Sequence, residues 1–466
     1  MWSNILDRIS FLALFFVIVL LPVFSLPFTQ IPVETSKGLL LVVGLAISII
    51  FWAVARFSDG KISVPRNSLV LAGLLVVFTT LLSAFFAVSR DVSTFGIMLD
   101  INSFWFIFAG FLLMFACSVI LNDSKSARTV LYGVLWSAGV VFVFQALRFF
   151  FPEALSFGIL GSKTDSVFGS FNSLGLFAGF VILASLLVLD FFKISNVKKL
   201  LIQALVVLSV LIVAAVNFVF AWEILGIFAL IIFVYKVSFL SKRGEDGVAR
   251  SSFPAFSFAI VMVSLLFFMS SQFVGSYIPN KLSLVNTEVS PTLSATMSVA
   301  KSALKENPVF GVGPNRFGEL WAMHKSADIN SGPFWDYSFN SGSGVLPTLA
   351  ATTGILGALS WVIFLVLFII AGIKSIFSKK DGALDSEITA FFVLALYLFI
   401  SAFFYSVGSV LFLLALAFAG IFVGLSASRR AGGTITILFL DDHRKSFFFI
   451  LFLVLVMIAG AAITFK

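Results

Sequence analysis

Apolar runs of about 20 residues, separated by short polar stretches, recur along the chain from residue 9 to residue 464. A helix needs about 20 residues to cross a hydrocarbon core of ~30 Å. Lipid admits only structures that satisfy every backbone N–H and C=O internally. The runs therefore predict membrane-spanning helices near 9–26, 38–57, 68–88, 99–121, 128–151, 173–192, 200–219, 221–240, 255–273, 346–373, 386–405, 408–427 and 446–464. The expected fold class is all-α, a polytopic integral membrane protein of about 12–13 transmembrane helices, with one membrane domain over 1–466 and one large loop over 274–345. The first run has no small-residue cleavage site followed by a soluble chain, so it reads as an uncleaved first helix.

Composition agrees. The chain is 60% apolar and 11% charged, with a mean hydropathy of +1.12, which excludes a soluble globule. The formal charge of +8 arises from Lys and Arg set between the spans, so it speaks to orientation rather than to nucleic acid. With the N-terminus in the cytoplasm, 20 of the 30 basic residues fall at the inner face and the 274–345 loop lies outside. Cys117, the single cysteine, sits inside an apolar run and excludes an intramolecular disulfide.

The chemistry-bearing residues gather in the long loop. Ser290 and Pro291 form an N-cap and first-turn proline, and Leu293, Met297, Ala300 and Leu304 recur at helical spacing until Asn307-Pro308. This predicts an amphipathic helix on the outer face. It leads into Asn307-Pro308-Val309-Phe310-Gly311-Val312-Gly313-Pro314-Asn315-Arg316-Phe317, a turn in which Gly311, Gly313 and Asn315 can expose backbone N–H groups beside Arg316. Such a turn suits a diphosphate or an array of sugar hydroxyls; the same pattern also describes a rigid turn with a solvated arginine. Glu319, Trp321, His324, Lys325, Asp328, Trp335, Asp336 and Tyr337 follow, pairing carboxylates with aromatic faces as carbohydrate handling requires. A loop packed over helices can contain the same set. Arg148 and Lys163 are further cations at predicted outer ends, and snorkelling is the plain explanation for Arg148. Acidic residues at span rims are costly, which singles out Asp100 and Glu223. Asp190, beside Lys193, reads as an interfacial charge.

The run NPVFGVGPNRF, followed by a small-residue entry into a span reading TTGILGAL, resembles the C-terminal half of the O-antigen ligase and O-antigen polymerase family of bacterial membrane proteins. Phe168-Gly169-Ser170-Phe171-Asn172-Ser173-Leu174-Gly175 is similar to that family's entry into a middle span, so the resemblance covers about 165–375. It implies a GT-C-like architecture in the bacterial cytoplasmic (inner) membrane. It also implies a polyprenyl-diphosphate-linked glycan donor, a glycan, lipid or protein acceptor, and no metal or other cofactor. In such a reaction arginines stabilise the diphosphate and a loop histidine acts as base. That makes His324 and Arg316 the catalytic candidates, with Arg148, Asn172, Glu223, Gly311, Gly313, Asn315 and Asp336 around the substrates. The sequence departs from the family at two places: Ser343-Gly344 stands where the family has histidine then asparagine, and Ala221-Trp222-Glu223 where it has a serine-arginine pair.

Two other readings remain. A non-catalytic relative would bind a glycan lipid or partner a glycan-assembly enzyme, which the two departures favour. A flippase would place broken helices and charges near the midplane in matching halves, and no two halves match. Nothing in the sequence forms a Walker loop, a HExxH motif or a typical zinc site, since it has two histidines and one cysteine.

Overall fold

A computed structural model describes residues 2–27, 31–96, 100–240, 253–286, 288–326, 329, 331–332, 335–377, 386–438, 451 and 455. Asp328 and nearly all of the run 446–464 lie outside the described residues. The architecture is all-α. The helices are α1 (Trp2–Leu20), α2 (Val33–Asp59), α3 (Ser68–Phe86), α4 (Arg90–Thr94), α5 (Phe104–Ile120), α6 (Ser124–Phe150), α7 (Phe171–Phe191), α8 (Asn196–Val216), α9 (Val219–Tyr235), α10 (Ala255–Met269), α11 (Ser276–Leu282), α12 (Leu293–Glu306), α13 (Phe317–His324), α14 (Val345–Phe377), α15 (Ser386–Phe404) and α16 (Ser409–Ser428). Among the described residues, 10 helices are long and apolar enough to cross a membrane. The pair α10 and 271–282, bent by 96°, makes up to 11, and α5 is a shorter apolar helix. The protein is thus a polytopic membrane protein. The bend replaces the straight span expected over 255–273: the chain widens into a π turn at Ser271–Gly275, then carries Pro279 inside α11.

The long helices alternate in direction, so one end of the bundle gathers the segment between α11 and α14. We term this the loop end. At the opposite end β1 (Lys61–Pro65) pairs antiparallel with β2 (Thr434–Leu438), Lys61 facing Leu438 and Pro65 facing Thr434. The pairing is absent from the sequence expectation. It joins segments far apart in the chain, which no local pattern reports. Ion pairs cluster at the same end: Arg56 with Asp7, Arg128 and Arg429 with Glu387, and Lys236 with Asp190. Asp190 is thereby tied to α9, and Ser257 of α10 donates to its other oxygen at 2.9 Å.

The core is built around α7 and α16, which are buried over nearly their whole length, from Phe171 to Val188 and from Ser409 to Leu425. Phenylalanine rings fill the space between helices, for example Phe180 edge-on to Phe418 at 5.3 Å and Phe391 near Phe418 at 5.0 Å. α15 is also largely buried, and the remaining spans bury one face and leave Leu, Val, Ile and Phe on the other, as lipid contact requires.

The loop carries a small core of its own. The cap of α12 is Thr292, whose Oγ1 accepts from the Ala295 N–H at 3.2 Å, rather than Ser290. Its buried face is Thr296, Val299, Ala300 and Ala303, while Leu293 and Met297 are exposed. Close packing on α14 selects the small residues over the large ones. Phe317, Leu320 and Trp321 of α13 complete this core against Ala351 of α14.

The glycine-proline turn after α12 inserts into a break in α14. Gly354 adopts φ 72° and ψ −170° inside that helix, a conformation essentially reserved for glycine. The break releases the Thr352 carbonyl, which accepts from the Gly313 N–H at 3.0 Å. The Ile355 and Leu356 N–H groups donate instead to the Pro308 and Val309 carbonyls at 2.9 and 3.3 Å. A Cβ on Gly311, itself at φ 67°, would lie 2.2 Å from the Thr352 oxygen, and one on Gly354 would lie 2.5 Å from the Gly311 nitrogen. Gly311→Ala and Gly354→Ala are each expected to lower the melting temperature in detergent far more than Gly432→Ala. Gly432 has a similar φ of 68° but nothing within 4 Å, so it carries only the backbone term of about 1–2 kcal/mol. Equal shifts in the three variants would show that the interlock is not tight.

Candidate functional site

The interlock and the α12–α13 core hold Asn315, Arg316 and Glu319 over the loop end of the bundle, where they wall a cavity of ≈ 520 Å³. Glu34 comes from the start of α2, Asp100 and Asn102 from the turn before α5, Asn340 and Ser341 from the re-entry into α14, and Ser406 from the α15–α16 turn. Arg316 is the N-cap residue of α13. Its guanidinium donates to Glu319 one turn on, with Nε to Oε1 at 2.9 Å, and Nη1 donates to the Val312 carbonyl at 2.9 Å. Asn315 sits at φ 61° and its Nδ2 donates to Asp100 Oδ2 at 2.8 Å. Ser341 and Ser406 share a hydrogen bond of 2.7 Å across the cavity wall.

Three carboxylates, Glu34, Asp100 and Glu319, thus face one guanidinium already paired with one of them. The wall is rich in hydrogen-bond acceptors. Asn102 is buried, and its Oδ1 has no partner among the described residues. An orphaned buried acceptor is costly and marks a place where a donor is wanted.

Glu34 also caps a helix. Its Oε2 accepts from the Ser409 N–H at 2.9 Å and from the Ser409 hydroxyl, at the N-terminus of α16. Glu288 does the same for α7 from the strap between α11 and α12. It accepts from the N–H groups of Phe171 and Asn172 and from the Ser170 hydroxyl at 2.8 Å. A relay runs into it: Asn286 Nδ2 to Asn172 Oδ1 at 2.7 Å, Asn172 Nδ2 to the Tyr405 hydroxyl at 3.2 Å, and that hydroxyl to Glu288 at 3.0 Å. Carboxylates at helix N-termini answer both the unpaired N–H groups and the dipole.

The sequence-derived candidates are therefore divided. Arg316 and Asn315 line the cavity together with Asp100 and Glu319. Gly311 and Gly313 support it from behind, with their N–H groups bound to Asn307 and Thr352 carbonyls. Asn172 belongs to the Glu288 relay. Arg148 is fully buried and grips the carbonyls of Leu155 and Ser162, while Lys163 Nζ donates to the Leu282 carbonyl at 2.9 Å, so both hold loops in place. His324, at the end of α13, lies 3.6 Å from Glu306 and is not on the cavity wall. Asp336 is exposed in a turn, and Glu223 is exposed on the first turns of α9. At the two departures from the family pattern, Ser343 is buried with its N–H bound to Thr296 Oγ1 at 2.8 Å. Trp222 stacks on Phe267 at 4.4 Å.

Glu34, Asn102, Asn340 and Ser406 were not singled out in the sequence. Glu34 carries a signal, an acidic residue beside Lys37 at the mouth of an apolar run; the others have none. Compared with known proteins, the chain matches no protein-family model and no curated protein.

Burial, reinforced by the Glu288 carboxylate, pushes the Tyr405 phenol above its ordinary value. The relay therefore stabilises the fold fully below pH ~10, where an unfolded tyrosine stays neutral, and loses that contribution as pH rises further. Tyr405→Phe is expected to cost about 1 kcal/mol at neutral pH and to flatten the decline in stability above pH ~10. Chemical unfolding at pH 7 to 11 checks this, and parallel curves for the two proteins would refute it.

Proposed function

We propose that the protein is an O-antigen ligase/polymerase-like glycosyltransferase of a bacterial cytoplasmic membrane, with its N-terminus inside and the 274–345 loop outside. It moves a glycan from a polyprenyl-diphosphate carrier to a glycan, lipid or protein acceptor. The observation that carries this reading is the acceptor-rich cavity between loop and helices, walled by Glu34, Asp100, Glu319, Asn315 and Asn340. Sugar hydroxyls are the donors that such a wall of carboxylates and amides takes up. The carrier's lipid tail stays among the spans while its diphosphate and glycan reach the loop end.

In this reading the acceptor hydroxyl oxygen bonds to the anomeric carbon as the bond from that carbon to the phosphate oxygen breaks. The electron pair leaves with the polyprenyl diphosphate. The hydroxyl proton passes to a cavity carboxylate, Asp100, because His324 is turned toward Glu306. Arg316 exchanges Glu319 for the developing diphosphate charge.

One observation favours a second reading, a non-catalytic glycan-lipid binder: among the described residues Arg316 is the sole cation on the cavity wall, and it is paired with Glu319. Reconstitution with a polyprenyl-diphosphate-linked oligosaccharide and a panel of acceptors separates the two. Acceptor-dependent release of polyprenyl diphosphate is expected, reduced on the order of a hundredfold by Arg316→Ala or Asp100→Asn and largely kept by His324→Ala. Donor binding without release would establish the binder, and absence of both would overturn the glycan reading.

A further inference from the structure

The end of the bundle opposite the loop holds a second hollow of ≈ 630 Å³, between the start of α3 and the facing ends of α14, α15 and α16. Among the described residues four cations line it and no carboxylate does: Arg66, Lys374, Arg429 and Arg430. The β1–β2 pairing brings them together, because the Arg66 N–H donates to the Gly433 carbonyl at 2.7 Å and so fixes the chain after α16 against the start of α3. Arg429 is held by Ser124 Oγ at 2.6 Å and Glu387 Oε2 at 3.2 Å. Among the described residues no carboxylate pairs with Arg66, Lys374 or Arg430, and all three are exposed.

Beneath the cations the hollow turns apolar, floored by Leu367, Ile370 and Phe422. Ile370 continues into the outward-facing stripe of α14 with Val366 and Ile373. Ser426 also lines it, and its Oγ is buried with no hydrogen-bond partner among the described residues. Cations at helix C-termini complement the dipole, which accounts for Lys374, Arg429 and Arg430 singly. It does not account for Arg66, which precedes a helix, nor for the convergence of all four over an apolar floor.

We propose that this hollow binds the headgroup of an anionic phospholipid, its phosphate among Arg66, Lys374 and Arg430 and its acyl chains along α14. Charge selects the phosphate, and the floor selects a lipid over free phosphate. This site lies outside the glycan reading and stands without it.

The test is a binding titration of the purified, delipidated full chain in neutral detergent with phosphatidylglycerol, read by native mass spectrometry. A basic side chain at an anionic surface contributes about fivefold, so removing three weakens binding on the order of a hundredfold. The R66Q/K374Q/R430Q variant is expected to show that loss, and Lys374→Gln alone about fivefold. A charge-matched variant of other exposed cations at the same end, R8Q/K125Q/K199Q, is expected to bind as the unmodified chain does. Equal loss in both triple variants would reduce the effect to diffuse surface charge and overturn the site. Equal binding of phosphatidylcholine, or displacement of the lipid by millimolar inorganic phosphate, would overturn the lipid assignment.

Discussion

A helix surrounded by apolar groups can be broken only if every backbone group the break releases finds a new partner. That constraint governs this protein at Gly354, where α14 loses its regular hydrogen bonds. The freed carbonyl of Thr352 and the freed N–H groups of Ile355 and Leu356 are all taken up by residues 308–313. Each would cost several kcal/mol if left unpaired in lipid. The turn is therefore obligatory to the span, and the span to the turn. Because Asn315 and Arg316 follow within a few residues, the position of the cavity wall is a by-product of completing a broken helix.

The same logic recurs at helix ends. The two most buried helices, α7 and α16, both begin at the loop end, and each has a carboxylate from a distant segment at its first turn. Lys37 plays the opposite part, donating to the Leu21 and Phe24 carbonyls past the end of α1 at 2.8 and 3.1 Å. Glu34 has two duties, since it caps α16 and faces the cavity. The acceptor-rich character of the cavity thus has a structural root: acidic groups are drawn to the positive ends of helices that start there.

The spans were legible because length and hydropathy report them directly. The loop helix was legible in existence but not in facing. Spacing picked out Leu293, Met297, Ala300 and Leu304, of which Ala300 is buried, whereas contact with α14 demanded the small face of Thr296, Val299, Ala300 and Ala303. Gly311 and Gly313 were visible as a turn, yet the Thr352 carbonyl that consumes the Gly313 N–H lies in a different element. Arg148 and Lys163 looked available because a sequence shows charge and not the carbonyls that satisfy it. Glu288 and Tyr405, or β1 and β2, meet only in three dimensions.

The near-complete burial of α16 bears on how the bundle is made. More than 400 residues precede Ser409 in the chain, so the helix at the centre emerges from the ribosome after the helices that surround it. Until it arrives, the surfaces of α5 and α15 that it covers lack their partner, and the strand that receives β2 waits almost as long. Packing of this nearly uniformly apolar helix against α5 and α15 is therefore a late event. The Ser409–Glu34 contact at one end and the Thr434–Pro65 pairing near the other latch it there.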